Sequence, residues 1–222
     1  KTIWNSKTAQ EVRRDFTEGN YEKAGCDKEC PFLRGSFEPP REHPPVSESI
    51  IYYKSEFKKI KDKTLYSENS NNAFNNFDSK RIVLNSYPLF VDVQNILRCN
   101  YDCIMCGQPH DSDLQHSDDI TIKLESLKPY ANFFRWQGGE SFLKKGFFDY
   151  MVRFDDPLYP HLRRSVITNG SVLKEHQLRK LCEGDRPPFF LISIDGVSKD
   201  VFTKIRKKGQ YEKTMNTLRV LA

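Results

Sequence analysis

Cys99, Cys103 and Cys106 lie in the run Cys99-Asn100-Tyr101-Asp102-Cys103-Ile104-Met105-Cys106, a C-x3-C-x2-C spacing. Three close thiolates without a fourth suit an iron–sulfur cluster that keeps one iron open. An open iron can bind a substrate or cofactor, whereas a fully ligated cluster mainly carries electrons. The other chemistry open to this set is a structural zinc knuckle, with His110 as the fourth ligand. The apolar run Pro88-Leu89-Phe90-Val91-Asp92-Val93 just upstream reads as a buried strand that leads into the cysteines.

Three further runs follow: Phe133-Phe134-Arg135-Trp136-Gln137-Gly138-Gly139-Glu140, Ser165-Val166-Ile167-Thr168-Asn169-Gly170 and Leu191-Ile192-Ser193-Ile194-Asp195-Gly196. Arg206 stands thirteen residues beyond Ser193. Paired glycines serve a turn, or they let backbone come close to a ligand. Together and in this order, the four motifs resemble those of the radical S-adenosylmethionine (SAM) enzymes. That family carries CxxxCxxC at the end of its first barrel strand and GGE at the end of its second. The resemblance covers about residues 85–222.

The resemblance implies that Cys99, Cys103 and Cys106 each bind one iron of a [4Fe–4S] cluster, and that the fourth iron chelates the methionine part of SAM. Reductive cleavage of the sulfonium then gives methionine and a 5′-deoxyadenosyl radical. The cofactor supplies that chemistry, while the protein orients it and excludes water. Met105 stands where the family often has an aromatic near the adenine, and it can pack there as a polarizable apolar contact. Gly138, Gly139 and Glu140 are expected at the SAM ammonium, which a backbone carbonyl and the Glu140 carboxylate would accept. Ser193 and Arg206 are expected at the carboxylate or ribose, although Arg206 alone reads equally as a solvated helix charge. Thr168 and Asn169 either line the ribose or substrate cavity or only shape a strand-to-helix turn. Asp195, counted with the cofactor-binding set, belongs to the strand-four turn and is expected to cap the next helix. The implied partners are a substrate and an electron donor such as flavodoxin or ferredoxin.

Cys26 and Cys30 form a second constellation with Trp4-Asn5-Ser6, Arg13-Arg14, Gly19 and Pro31. This segment resembles the close of a SPASM domain, the auxiliary-cluster module of peptide-modifying radical SAM enzymes. It precedes the core instead of following it, and it lacks the other cysteines such a cluster needs. An auxiliary iron–sulfur cluster, a zinc pair and two free thiols all remain open for it. Cys182, in an apolar helical pattern with Leu178 and Leu181, reads as buried and inert.

The elements that must position these residues alternate. Strands are expected at Pro88–Ile96, Asn132–Gln137, Arg164–Thr168 and Phe189–Ile194. Helices are expected at Thr121–Lys128, Phe142–Phe154, Val172–Cys182, Lys199–Lys207 and Tyr211–Leu221. Such alternation implies right-handed βαβ units on a parallel sheet. The expected fold is thus α/β, a partial (β/α) barrel of radical SAM type truncated after the fourth of the family's six βα units. A small cysteine-bearing head precedes it. The domain reading is 1–38 for the SPASM-like head, with a helix near Ser6–Phe16, 39–80 for a linker and 81–222 for the radical SAM core. Pro39-Pro40, Pro44-Pro45 and five asparagines between Asn69 and Asn76 mark the linker, with one amphipathic helix at Ser49–Lys61.

Net charge is +5 from 35 basic and 30 acidic residues, scattered along the chain, so no nucleic-acid partner is read from it. No stretch approaches the roughly 18 apolar residues of a membrane span. Three of the six cysteines fall within eight residues, which fits a reduced, cytoplasmic setting better than a disulfide framework. The first residue is Lys1, so a leader cannot be judged. The functional expectation is a radical SAM enzyme, an oxidoreductase modifying a peptide or protein. The alternatives are action on a small molecule, such as a sugar or cofactor precursor, and a non-catalytic iron–sulfur or zinc scaffold. With two barrel units missing, the chain is expected to bind a cluster yet turn over substrate weakly or not at all.

Overall fold

Side-chain alternation builds the sheet. In β1 (Phe90–Ile96), Val91, Val93 and Asn95 are buried on one face, while Phe90, Asp92 and Gln94 lie on the other. The same alternation buries Phe134 and Trp136 in β3 (Phe133–Gly138). With β4 (Arg163–Thr168) and β5 (Phe189–Ile192) these strands form one four-stranded parallel sheet in the order β1-β3-β4-β5. A two-stranded antiparallel pair, β2 (Asp102–Cys103) with β6 (Arg206–Lys207), lies apart from it. The computed structural model describes residues 4–27, 64–115 and 117–222 and divides into two compact units, Lys1–Leu89 and Phe90–Ala222.

In the second unit, helices α3 (Asp118–Glu125), α4 (Phe147–Phe154), α5 (Glu175–Cys182), α6 (Lys199–Ile205) and α7 (Tyr211–Leu221) alternate with the strands. The core gathers Val91, Val93, Phe134, Trp136, Phe147, Tyr150, Met151, Phe154, Leu162, Val166 and Leu181. Trp136 is its centre: it meets Phe154 edge-on at 4.7 Å, with Tyr150 and Phe147 close by. The opposite face of the sheet is open at its lower end. There Phe90 and Phe189 are about half exposed, and Arg135 pairs with Asp92 across the β1–β3 register. The run at Pro88–Val93 is therefore a strand buried on one face only, not on both.

The observed parallel α/β sheet is the expected partial barrel with its four strands. Several expected features change. The helix expected at Thr121–Lys128 is Asp118–Glu125, and the one expected at Lys199–Lys207 ends at Ile205, with Arg206 and Lys207 forming β6. Phe142–Phe154 is not one helix: a 3-10 turn at Ser141–Leu143 comes first, and Gly146, left-handed at φ 76°, stands at the N-cap of α4. The helix after β4 starts at Glu175 instead of Val172. Cys182 is exposed at the end of α5, and only its neighbours Leu178 and Leu181 are buried.

In the first unit, α1 (Lys7–Glu18) is capped by Ser6 and ended by Gly19 at φ 78°. The asparagine-rich stretch read as linker is a helix, α2 (Leu65–Asp78). Thr64 and Ser67 cap each other reciprocally at its start. Asn69 bonds the backbone of Tyr87 in both directions, and Asn76 donates to Ser86, so these asparagines act as buried clamps. The helix expected at Ser49–Lys61 lies outside the described residues. No helix among the described residues is long and apolar enough to cross a membrane.

Candidate functional site

The cysteine loop leaves β1 at its C-terminal end, where parallel α/β sheets collect ligands. Its base is closed by Leu97 N–H on the Leu114 carbonyl at 3.0 Å and Cys99 N–H on the His110 carbonyl at 2.9 Å. Its middle is held by β2, which pairs Cys103 with Arg206 and Asp102 with Lys207. Ile104 N–H extends this clasp to the Ile205 carbonyl at 3.0 Å.

Gly138 and Gly139 fit against the stem of this loop. A Cβ on Gly138 would sit 2.2 Å from the Ile96 carbonyl oxygen, and one on Gly139 would sit 2.1 Å from that of Arg98. Gly139 N–H donates to Ile96 and Glu140 N–H to Arg98, both at 2.8 Å. The close approach these glycines permit is thus, first of all, to the chain's own cysteine loop.

Glu140 is fully buried. Thr168 Oγ1 donates to both of its carboxylate oxygens at 2.8 and 2.9 Å, and Asn169 N–H donates to Oε2 at 2.7 Å. Phe142 N–H adds a longer bond at 3.3 Å. Burial pushes the carboxyl up from its ordinary value, while the donors from Asn169, Thr168 and Phe142 pull it back. The carboxylate joins the ends of β3 and β4 instead of pointing into open space.

A cavity of about 310 Å³ opens above these strand ends. It is lined by Cys99, Cys103, Cys106, Met105, Gly138, Gly139, Thr168, Asn169, Ser193 and Arg206, together with Tyr101, His110 and Ile167. All but two of the residues expected at a cofactor in this unit therefore share one cavity. The exceptions are Glu140, which lies behind the wall, and Asp195, which reaches the site through Arg206 at 2.6 Å. Asp195 is not the helix cap expected of it, because Ser198 caps α6. Cys26 is half-buried in the first unit, and Cys30 lies outside the described residues.

Tyr101 is a site residue that sequence reasoning passed over. It is buried between the first two cysteines. Its hydroxyl contacts Thr214 Oγ1 at 3.0 Å and accepts from Gln210 N–H at 2.9 Å, tying the loop to α7. Thr214 also donates to the Asn169 carbonyl at 2.8 Å. The one signal for this was a polar residue at a core-facing position of an amphipathic helix.

The donor set fits an iron–sulfur cluster, since three cysteines face one cavity with no fourth thiol on it among the described residues. Burial pushes the Cys99 and Cys103 thiols up. The Tyr101 N–H opposes this at Cys99, and Arg206 opposes it at Cys103. Among the described residues no three His, Cys, Asp or Glu side chains are gathered to hold a single metal ion. His110 Nδ1 instead meets Asp102 at 3.2 Å.

A family model, the radical SAM superfamily, matches residues 96–222. Among solved structures, Streptococcus suis SuiB bound to S-adenosylmethionine is similar at a TM-score of 0.52 and 11% identity, over 93% of this chain and 41% of SuiB. SuiB bound to the precursor peptide SuiA is similar at 0.47 and 12%, over 94% and 43%. Native anSMEcpe with bound AdoMet and Cp18Cys peptide gives 0.47 and 22%, over 60% and 39%. The chain thus spans about two-fifths of the length of these structures. No curated protein matches it.

Proposed function

The chain belongs to the radical SAM superfamily, and we propose that it is the cofactor-binding part of an enzyme that cleaves SAM reductively for modification of a peptide or protein. One observation carries this reading: three cysteines share a strand-end cavity with Gly138, Gly139, Thr168, Asn169, Ser193 and Arg206. Cys99, Cys103 and Cys106 would hold the [4Fe–4S] cluster, which supplies the electron that converts SAM to methionine and a 5′-deoxyadenosyl radical.

The chain's own residues do the rest. The backbone at Gly138–Gly139 lines the cavity and takes the ammonium, because both Glu140 oxygens are occupied by internal donors. Ser193 and Arg206 face the carboxylate or ribose, and Met105, still 56% exposed, offers its thioether to the adenine. Thr168 and Asn169 line the cavity and also shape the strand-to-helix turn, so both roles proposed for them are compatible.

The peptide substrate is supported by the SPASM-like pattern around Cys26 and Cys30, and by SuiB, which has been solved with its precursor peptide. A cytoplasmic setting with flavodoxin or ferredoxin as electron donor completes the proposal. The test is anaerobic reconstitution followed by iron and sulfide quantification, then incubation with SAM and dithionite. About four irons per chain at this site, with methionine and 5′-deoxyadenosine formed, support the reading. Iron without SAM cleavage supports the non-catalytic scaffold, and one zinc without iron overturns the cluster.

A further inference from the structure

We propose that Glu140 and Asp195 are positioning residues for the cluster's sulfurs, each holding an N–H donor, Asn169 or Arg206, against Cys99 or Cys103. The inference rests on the reading of the cysteines as cluster ligands.

At Cys99, the amide Nδ2 of Asn169 lies 3.9 Å from Sγ and 2.8 Å from Asn100 Oδ1. The direction of this amide is set by its other end. Asn169 Oδ1 accepts from Ser171 N–H at 2.9 Å and Ser171 Oγ at 2.7 Å, which leaves the NH2 group facing the sulfur. The backbone of Asn169 is held as well, by Glu140 Oε2 on its N–H and Thr214 Oγ1 on its carbonyl. With Glu140 fully buried and bonded to Thr168, the Glu140–Asn169–Cys99 series has little freedom to move.

At Cys103 the arrangement is repeated with different residues. The β2–β6 register sets Cys103 opposite Arg206, and Arg206 Nη1 lies 3.8 Å from Cys103 Sγ. Asp195 Oδ2 holds Nη2 at 2.6 Å, and Arg206 is only 8% exposed, so this pairing is partly shielded from solvent. At Cys99 the carboxylate holds the backbone of the donor residue, at Cys103 it holds the donor group itself, and in both cases the donor faces a ligand atom. Partners in the outer shell of a metal site act in this way.

An N–H aimed at a ligating sulfur favours the more negative state of a cluster, so each donor should raise the potential of its one-electron couple. The experiment is an EPR-monitored redox titration of the full reconstituted chain without SAM, using dithionite as reductant. Asn169→Leu, which changes no charge, should shift the potential to more negative values, and so should Arg206→Leu, where loss of the positive charge acts in the same direction as loss of the donor. The double variant should show about the sum of the two shifts, since the donors serve different sulfurs. Glu140→Met and Asp195→Ala each remove a negative charge, which alone would make reduction easier; a negative shift in either variant therefore reports lost positioning. In the Asn169→Leu background, where no donor is left to position, Glu140→Met should show only the positive shift of the lost charge, and Asp195→Ala in the Arg206→Leu background carries the same test should Glu140→Met fail to fold. Unchanged potentials in both donor variants with four irons retained, or positive shifts in the single carboxylate variants, overturn the proposal. A wild-type chain that takes up no four-iron cluster overturns the underlying reading instead.

Discussion

Gly139 carries the tightest demand of any residue at the site, because the atoms it faces are backbone carbonyls that cannot turn aside. Gly139→Ala is expected to cost roughly 1–3 kcal/mol of stability through overpacking and to displace the cysteine loop. Urea denaturation and iron content after reconstitution check this; an Ala variant that binds iron normally would show that the loop can give way. Arg206 is the other decisive residue. On the proposed role of Arg206 at the SAM carboxylate or ribose, Arg206→Ala should weaken SAM binding by about 1.5–3 kcal/mol, read by calorimetry on the reconstituted protein. Equal affinities would leave the carboxylate to Ser193 or to backbone. At this scale the motif marked the site residues but not their orientation. Gly-Gly-Glu named Glu140, yet the spacing carried no information that its carboxylate turns inward to Thr168 and Asn169.

At the scale of elements, alternation and helical period were enough to find the four strands of the sheet to within two residues and α7 at its observed limits. What escaped was structure held by tertiary bonds. Helix α2 consists largely of residues with weak helix preference, and its asparagines are spent on clamping the segment that follows. The β2–β6 clasp is two residues long, too short for any periodicity to register. The packing of the sheet on α4 is expected to be the main local source of stability. Trp136→Ala removes the ring around which Phe147, Tyr150 and Phe154 gather and should cost about 3–5 kcal/mol in a denaturant titration. A loss below 1 kcal/mol, on the order of a surface change, would mean that this cluster repacks.

Across the whole molecule, pH should act on stability through His161. Burial holds its imidazole below the ordinary value. The Lys128 carbonyl, 3.2 Å from Nε2, opposes that shift and the Arg186 charge adds to it. A lowered folded pKa means that the unfolded chain binds the proton first. The contribution of His161 is therefore complete above the unfolded value and is lost as pH falls through the folded one. His161→Gln should flatten the stability profile as pH falls below the ordinary imidazole value of about 6.5; an unchanged acid slope would place it on other groups. The central claim concerns the cavity that joins four strand ends, and one measurement tests it most directly: the EPR spectrum of the reduced, reconstituted chain with and without SAM. The account predicts a [4Fe–4S] signal that changes when SAM is added, and loss of that change in Cys103→Ala. A wild-type signal indifferent to SAM, or a change that survives replacement of all three cysteines by Ala, would contradict it.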